Sequence, residues 1–397
     1  MSIIKNAEII FPIGYERFHK KQLFNFQLNR PYSFGYARYE DMMEAGKIIG
    51  NFKEWKAVML MLAEKAIEDG RIVNAAFYYR AAEFYLKSND PEKEILYDKF
   101  INLFYKAFQN AEIEKHNIPY EKAYLPAIRF PSDTEKRGTI LIHGGFDSFI
   151  EEFYSMMIYF SNNSYEVIGF EGPGQGAARR KFGLPITYEW EKPTKSILDY
   201  FQLEDVTLIG ISMGGWLCLR ASAFEPRIKR TIATGHAIDY MQSMHPLLQK
   251  LHFWCLEHCW NFMNRMAVMK FEKSEGMASW MVDHLKYITK KTQPLEALDF
   301  YLQLNEQNIH SELVKQDVLI LSGEKDHFVP GKMHDMQLKA LINANSVTSR
   351  IFRKEEQAHN HCQTGNIELA LKTMLEWIEK TGGNEGKNSI SHKISVK

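Results

Sequence analysis

The chain has 397 residues and a mass of 46.3 kDa, with 45% hydrophobic and 25% charged residues, which fits a soluble globular protein with one large domain and a smaller one, each with its own core. Its 49 basic and 49 acidic side chains cancel, which argues against nucleic acid or an anionic membrane as the main partner. Residues 1–21 lack the apolar stretch of a signal peptide, no apolar run nears a membrane span, and four cysteines in so long a chain indicate reduced thiols, so a cytoplasmic protein is expected.

Residues 1–115 carry helical signals and almost no strand signals. Residues 56–69 are amphipathic and stop before Gly70; residues 72–87 repeat alanines and aromatics at helical spacing; Asp90 and Pro91 open a third helix that reaches about residue 109. Such pairs of helices imitate a tetratricopeptide unit, but no second copy follows at a fixed period.

From residue 116 to 381 strands and helices alternate, which predicts an α/β fold: a doubly wound, mainly parallel sheet with catalytic loops at the strand C-terminal ends. Strands are expected at 123–130, 139–143, 165–170, 206–209, 227–234, 317–321 and 348–353. About eighty residues separate the fifth and sixth of them, far more than a bare crossover needs. This insert, about 240–306, holds Trp254, Trp260 and Trp280 and the methionines 241, 244, 263, 266, 269, 277 and 281. Most should form the core of a small helical lid, and a few should line a pocket beneath it. Residues 382–397 are polar and expected to be disordered.

The chemistry centres on Gly210-Ile211-Ser212-Met213-Gly214, which joins an apolar strand to a helical segment. Glycines two before and two after a serine let strand and helix approach closely, and the tight turn pushes the hydroxyl out at a helix N-terminus. Alone, this pattern also fits a plain turn. Later in the chain Asp326 follows a strand, and two histidines, His359 and His361, follow the last strand, in the order serine, acid, histidine. A histidine can take the serine proton and return it to the leaving group, while the aspartate holds its tautomer. Spacing leaves both histidines open, and Asp239 is a reserve for the acid. Oxyanion donors are expected from the Met213 N–H and from Gly145 or Phe146 in the loop after residues 139–143. Cys255, His258 and Cys259, with His252 one turn earlier, have spacing that a metal could use, but aromatic neighbours and the lack of a second ligand pair point to core packing. Gly172-Pro173-Gly174-Gln175-Gly176 is not followed by the Lys-Ser/Thr or dinucleotide spacing of a phosphate loop, so no metal and no cofactor is expected.

Residues of about 60–380 resemble the α/β-hydrolases related to 2,6-dihydropseudooxynicotine hydrolase and to fungal polyketide-shortening hydrolases, a group similar to the catalytic domain of prolyl oligopeptidase and acylaminoacyl-peptidase. The resemblance is carried by residues 78–85, Gly144-Gly145-Phe146-Asp147-Ser148, residues 172–176, the serine turn, and His361-Cys362-Gln363. It implies that His361, directly before Cys-Gln, is the base, and that the chain forms a homodimer. The sequence departs at Glu171, where the group has aspartate, and the N-terminal region lacks propeller repeats.

The expected function is a serine hydrolase with a Ser212, His361, Asp326 triad acting on a small acyl substrate, by ester, amide or carbon–carbon bond hydrolysis. The alternatives are a non-catalytic binding protein on the same scaffold, which should lack a triad member, and an acylaminoacyl-peptidase-like peptidase.

Overall fold

The computed structural model of the protein describes residues 10–131, 136–240, 250, 254, 257–271 and 276–382. Five helices come first: α1 Gln22–Ser33, α2 Tyr39–Ile48, α3 Phe52–Glu68, α4 Ile72–Phe84 and α5 Glu92–Ala107. Asn51 caps α3 by accepting from the Glu54 N–H, and Asp90 accepts from the Glu92 N–H at the start of α5. Helix α4 is apolar or aromatic nearly all round, and its alanines 75, 76 and 82 are buried between neighbouring helices.

An eight-stranded sheet follows, β1 Glu114–Tyr120, β2 Ala123–Phe130, β3 Thr139–His143, β4 Glu166–Phe170, β5 Val206–Ile211, β6 Ile228–Thr234, β7 Asp317–Gly323 and β8 Ser346–Phe352. Its order is β1-β2-β4-β3-β5-β6-β7-β8. Strands β3 to β8 pair parallel, and β2 runs antiparallel to both β1 and β4. Strands β3, β4 and β5 are buried along their whole length, as continuous apolar runs in a covered parallel sheet should be. The edge strand β1 was not expected from the sequence: it is mostly exposed, polar, and contains Pro119.

Helices α6 Tyr154–Asn162, α7 Gly176–Arg180, α8 Glu191–Phe201 and α9 Met213–Phe224 connect the strands up to β6. Between β6 and β7 lie α10 Trp260–Phe271, α11 Met277–Thr289, α12 Pro294–Gln303 and α13 Glu306–Ile309. Helices α14 Lys332–Ala340 and α15 Ile367–Gly382 complete the chain.

Two buried clusters cover the two faces of the sheet. One of them runs without a break from α1, α3, α4 and α5 through α6 to Ile140, Ile209 and Leu319 of the strands. The first five helices therefore have no separate core, in contrast to the expectation of two.

The insert also departs from expectation. Helix α10 buries none of its residues, and Trp260, Phe262, Met266 and Met269 are exposed. The apolar residues of α11 do turn inward. Trp280 is buried, stacks on Phe84 with centroids 4.9 Å apart, and donates from its indole to the Phe84 carbonyl at 2.7 Å. Asp283 accepts from the Ser88 N–H at 2.7 Å, so α11 is anchored to the end of α4. Met241, Met244, His252 and Cys255 lie outside the described residues.

Candidate active site

Strand β5 ends at Ile211 and α9 begins at Met213, leaving Ser212 alone at the turn with φ 62° and ψ −129°. A non-glycine residue in that region is strained and persists only where its surroundings impose it. Here both flanks do: a Cβ on Gly210 would lie 2.1 Å from the Gly214 carbonyl oxygen, and one on Gly214 2.5 Å from that of Gly144. The Ser212 N–H is held by the Thr234 carbonyl at 2.8 Å.

The acid and the histidine arrive on two loops locked together. Gly323, the last residue of β7, packs so closely on the later loop that a Cβ would lie 2.4 Å from the His359 carbonyl oxygen. The Lys325 N–H donates to that same oxygen at 2.9 Å. Asp326 Oδ1 accepts from the N–H groups of Phe328 and Val329 at 2.9 and 3.0 Å, which leaves Oδ2 for His361 Nδ1 at 2.7 Å. His361 Nε2 lies 2.9 Å from Ser212 Oγ. With Nδ1–H donated to the carboxylate, Nε2 carries the free lone pair toward the hydroxyl.

His359 is elsewhere. Its ring stands edge-on to Tyr15, with centroids 5.9 Å apart, and its Nε2 faces the Asn360 amide at 3.3 Å. Asp239 is buried but is not paired with His361, whose Nδ1 faces Asp326.

Burial opposes a charge on His361, but the adjacent Asp326 carboxylate outweighs it and raises the imidazole well above its ordinary pKa. Burial would likewise raise Asp326; the His361 charge and hydrogen bond, with the two loop N–H groups, hold it below the ordinary carboxylate value. The pair is thus built to carry an imidazolium beside a carboxylate.

Residues 144–148, the loop after β3, lie over the serine turn. A Cβ on Gly145 would come within 2.8 Å of the Met213 nitrogen, whose N–H, at the first position of α9, has no partner within the helix. The loop is tied down by side chains from distant elements. Trp190 donates from its indole to His143 Nε2 at 3.2 Å, so Nδ1 bears the proton and donates to the Gly144 carbonyl at 2.9 Å. His284 of α11 donates from Nε2 to the Phe146 carbonyl at 2.8 Å, and Arg80 of α4 donates to that of Asp147 at 2.6 Å. Burial lowers both His143 and His284 to about 4, so both rings are neutral near pH 7.

A cavity of about 290 Å³ opens above Ser212. Its floor holds Ser212, Met213 and His361; Met277, Trp280, Met281 and Tyr301 close it from the insert; Phe26 and Arg30 of α1, with Phe34 just after it, form another wall. Sequence reasoning missed the α1 wall, because nothing in residues 22–33 distinguishes a cavity-facing helix from a packed one. The cation in this wall is already compensated: Arg30 bonds Glu152 at 2.6 Å and lies 3.5 Å from Asp147.

The family model of the alpha/beta hydrolase fold matches residues 140–352, just over half of the chain, and the strand order is that of the same fold. The chain belongs to the α/β-hydrolase family, and it is an enzyme of that family. It is 29% identical over 346 residues to the 20-hydroxy-prefusarin hydrolase of Gibberella moniliformis, covering 78% of this chain and 80% of that one. It is 30% identical to the alpha/beta hydrolase psoB of Aspergillus fumigatus, over 77% of each chain. Among solved structures, 2,6-dihydroxy-pseudo-oxynicotine hydrolase superposes with a TM-score of 0.62 over 89% of this chain and 94% of its own, at 21% identity. AbyA5 superposes with a TM-score of 0.66 over 87% and 90%, at 16% identity. These two likenesses concern the fold. No helix among the described residues is long and apolar enough to cross a membrane.

Proposed function

We propose that the protein is a serine hydrolase in which Ser212 is the nucleophile, His361 the general base and then general acid, and Asp326 the group that orients and stabilises the imidazolium. The reading rests on one observation, the two contacts of His361, at 2.9 Å to Ser212 Oγ and 2.7 Å to Asp326 Oδ2. Ser212 Oγ attacks the substrate carbonyl as its proton passes to Nε2; collapse of the tetrahedral intermediate expels the leaving group, which takes that proton. Water, deprotonated by the same nitrogen, then releases the acyl group. The developing oxyanion is received by N–H groups of Met213 and of Gly145 or Phe146.

The cavity favours a small, uncharged, largely apolar acyl compound. Apolar side chains, aromatic, methionine and aliphatic, supply most of its walls, and its one guanidinium is spoken for by two carboxylates. A free carboxylate or ammonium would enter without an unpaired partner, at a large desolvation cost. Ester, amide and carbon–carbon bond cleavage draw on the same groups. A fluorophosphonate probe should label Ser212 in the native protein and leave Ser212→Ala unlabelled; a screen of p-nitrophenyl esters, aminoacyl anilides and β-diketones then ranks the bonds cleaved. Absence of labelling in folded protein would favour a binding role on the same scaffold.

A further inference from the structure

The segment Gly172-Pro173-Gly174-Gln175-Gly176 has the look of an anion loop without the spacing of one, and the triad does not use it. All five residues are buried, and Gln175, 3% exposed, is the one among them with a polar side chain. The Gly172 N–H donates to Gln175 Oε1 at 3.0 Å, which fixes the amide the right way round. Nε2 then donates to two successive carbonyls, Gly144 at 2.8 Å and Gly145 at 3.0 Å.

Those two oxygens belong to the peptide groups that carry the Gly145 and Phe146 N–H. In a trans peptide the C=O and N–H point to opposite sides, and the described chain has no cis bond. Anchoring both oxygens on Gln175 therefore turns both N–H groups away from it. The Met213 amide lies against Gly145 across this loop.

We propose that Gln175 is a positioning residue for the oxyanion donors. It touches no reacting atom; it fixes the two peptide planes of the loop after β3 so that their N–H groups converge with that of Met213. The inference rests on the serine-hydrolase reading above. It gives the glutamine a task that a small neutral side chain could not perform, since two donors and one acceptor are all in use.

Gln175→Met removes both donors at nearly constant volume, and Gln175→Glu keeps the acceptor toward Gly172 while losing the donors. Each is compared with the unmodified chain for kcat, for KM, and for affinity toward a trifluoromethyl ketone, which forms a tetrahedral oxyanion on Ser212, and a non-reactive alcohol analogue of it. The expected result is a fall in kcat of roughly 10–100-fold with KM within about threefold. Affinity for the ketone should weaken by a similar factor, and that for the alcohol should stay unchanged. Both affinities are properties of the folded fraction, so partial unfolding does not imitate this split. An unchanged ratio of the two affinities in both variants overturns the proposal. Turnover that survives Ser212→Ala overturns the hydrolase reading and this inference with it; turnover lost there, with the ratio unchanged at position 175, removes the role of Gln175 alone.

Discussion

Phe26 of α1 is tilted against the imidazole of His361, with ring centroids 6.1 Å apart, and stands edge-on to His327 and Phe328 at 4.8 and 5.5 Å. A helix near the start of the chain thus covers the His361 imidazole near its end. Helix α1 is consequently part of the site's wall and bounds the space above Ser212.

Replacing Phe26 by alanine should widen the cavity and shift chain-length preference. The ratio of kcat/KM for a long over a short p-nitrophenyl ester is expected to rise roughly tenfold. The truncation should also cost about 3 kcal/mol of stability, measurable by denaturant titration. An unchanged ratio would place the acyl group elsewhere.

The two histidines should separate cleanly. His361→Ala is expected to lower kcat by roughly a thousandfold or more, because it removes proton acceptance and leaving-group protonation together. His359→Ala should lower it by less than about tenfold, since its ring contacts Tyr15 and Asn360 and not Ser212. The opposite ranking would be irreconcilable with the proposed roles.

The pH profile should carry the mark of Asp326. A base whose pKa is raised is protonated, and inactive, over a wider acid range, so the acid limb of kcat/KM should have its midpoint above the ordinary histidine value of about 6.5. Asp326→Asn should move that limb to lower pH, because the raising charge is gone, while kcat falls by roughly 10³–10⁴. A limb that stays in place in the variant would mean that another group titrates.

Stability should fall with alkali for a separate reason. Burial raises Glu151 to about 7, and burial together with the Glu151 charge raises Glu171 to about 8, against 4.5 for an ordinary glutamate. Protons are thus held more tightly in the folded state. Their contribution is complete below about pH 4.5 and is lost as pH climbs through the raised values. The Tm should drop between pH 6 and 9, and Glu151→Gln should flatten that slope. An identical slope in the variant would assign the effect to other residues.

Glu171 also shows why part of the molecule was unreadable in advance. As a substitution for aspartate it stood out, but its work is local: its oxygens accept from the Ile150 and Ala177 N–H groups at 3.2 and 2.6 Å. The serine turn, the loop after β3 and the mainly parallel sheet were legible because close backbone approach demands glycine at fixed positions and buried parallel strands demand continuous apolar runs. Strand β1 was not, since an exposed edge asks little of its side chains. The choice between His359 and His361 depends on which side of one loop faces β7, and spacing carries no record of that. Arg80, His284 and Gln175 act through contacts 30 to 138 positions away in the chain, each with a carbonyl that looks the same in any residue. The outward face of α10 was misread because apolar composition alone does not say which way a helix turns.

The unbroken apolar cluster joining α1 and α3 to α5 with the sheet has a thermodynamic consequence. Two regions that share one core cannot lose it separately, so the helices should not melt ahead of the sheet as an independent unit. Fluorescence of Trp55 in α3 and of Trp216 in α9, reported by single-tryptophan variants, would then follow one denaturation curve, and a chain beginning at β1 would emerge from synthesis with half of a hydrophobic interior facing water.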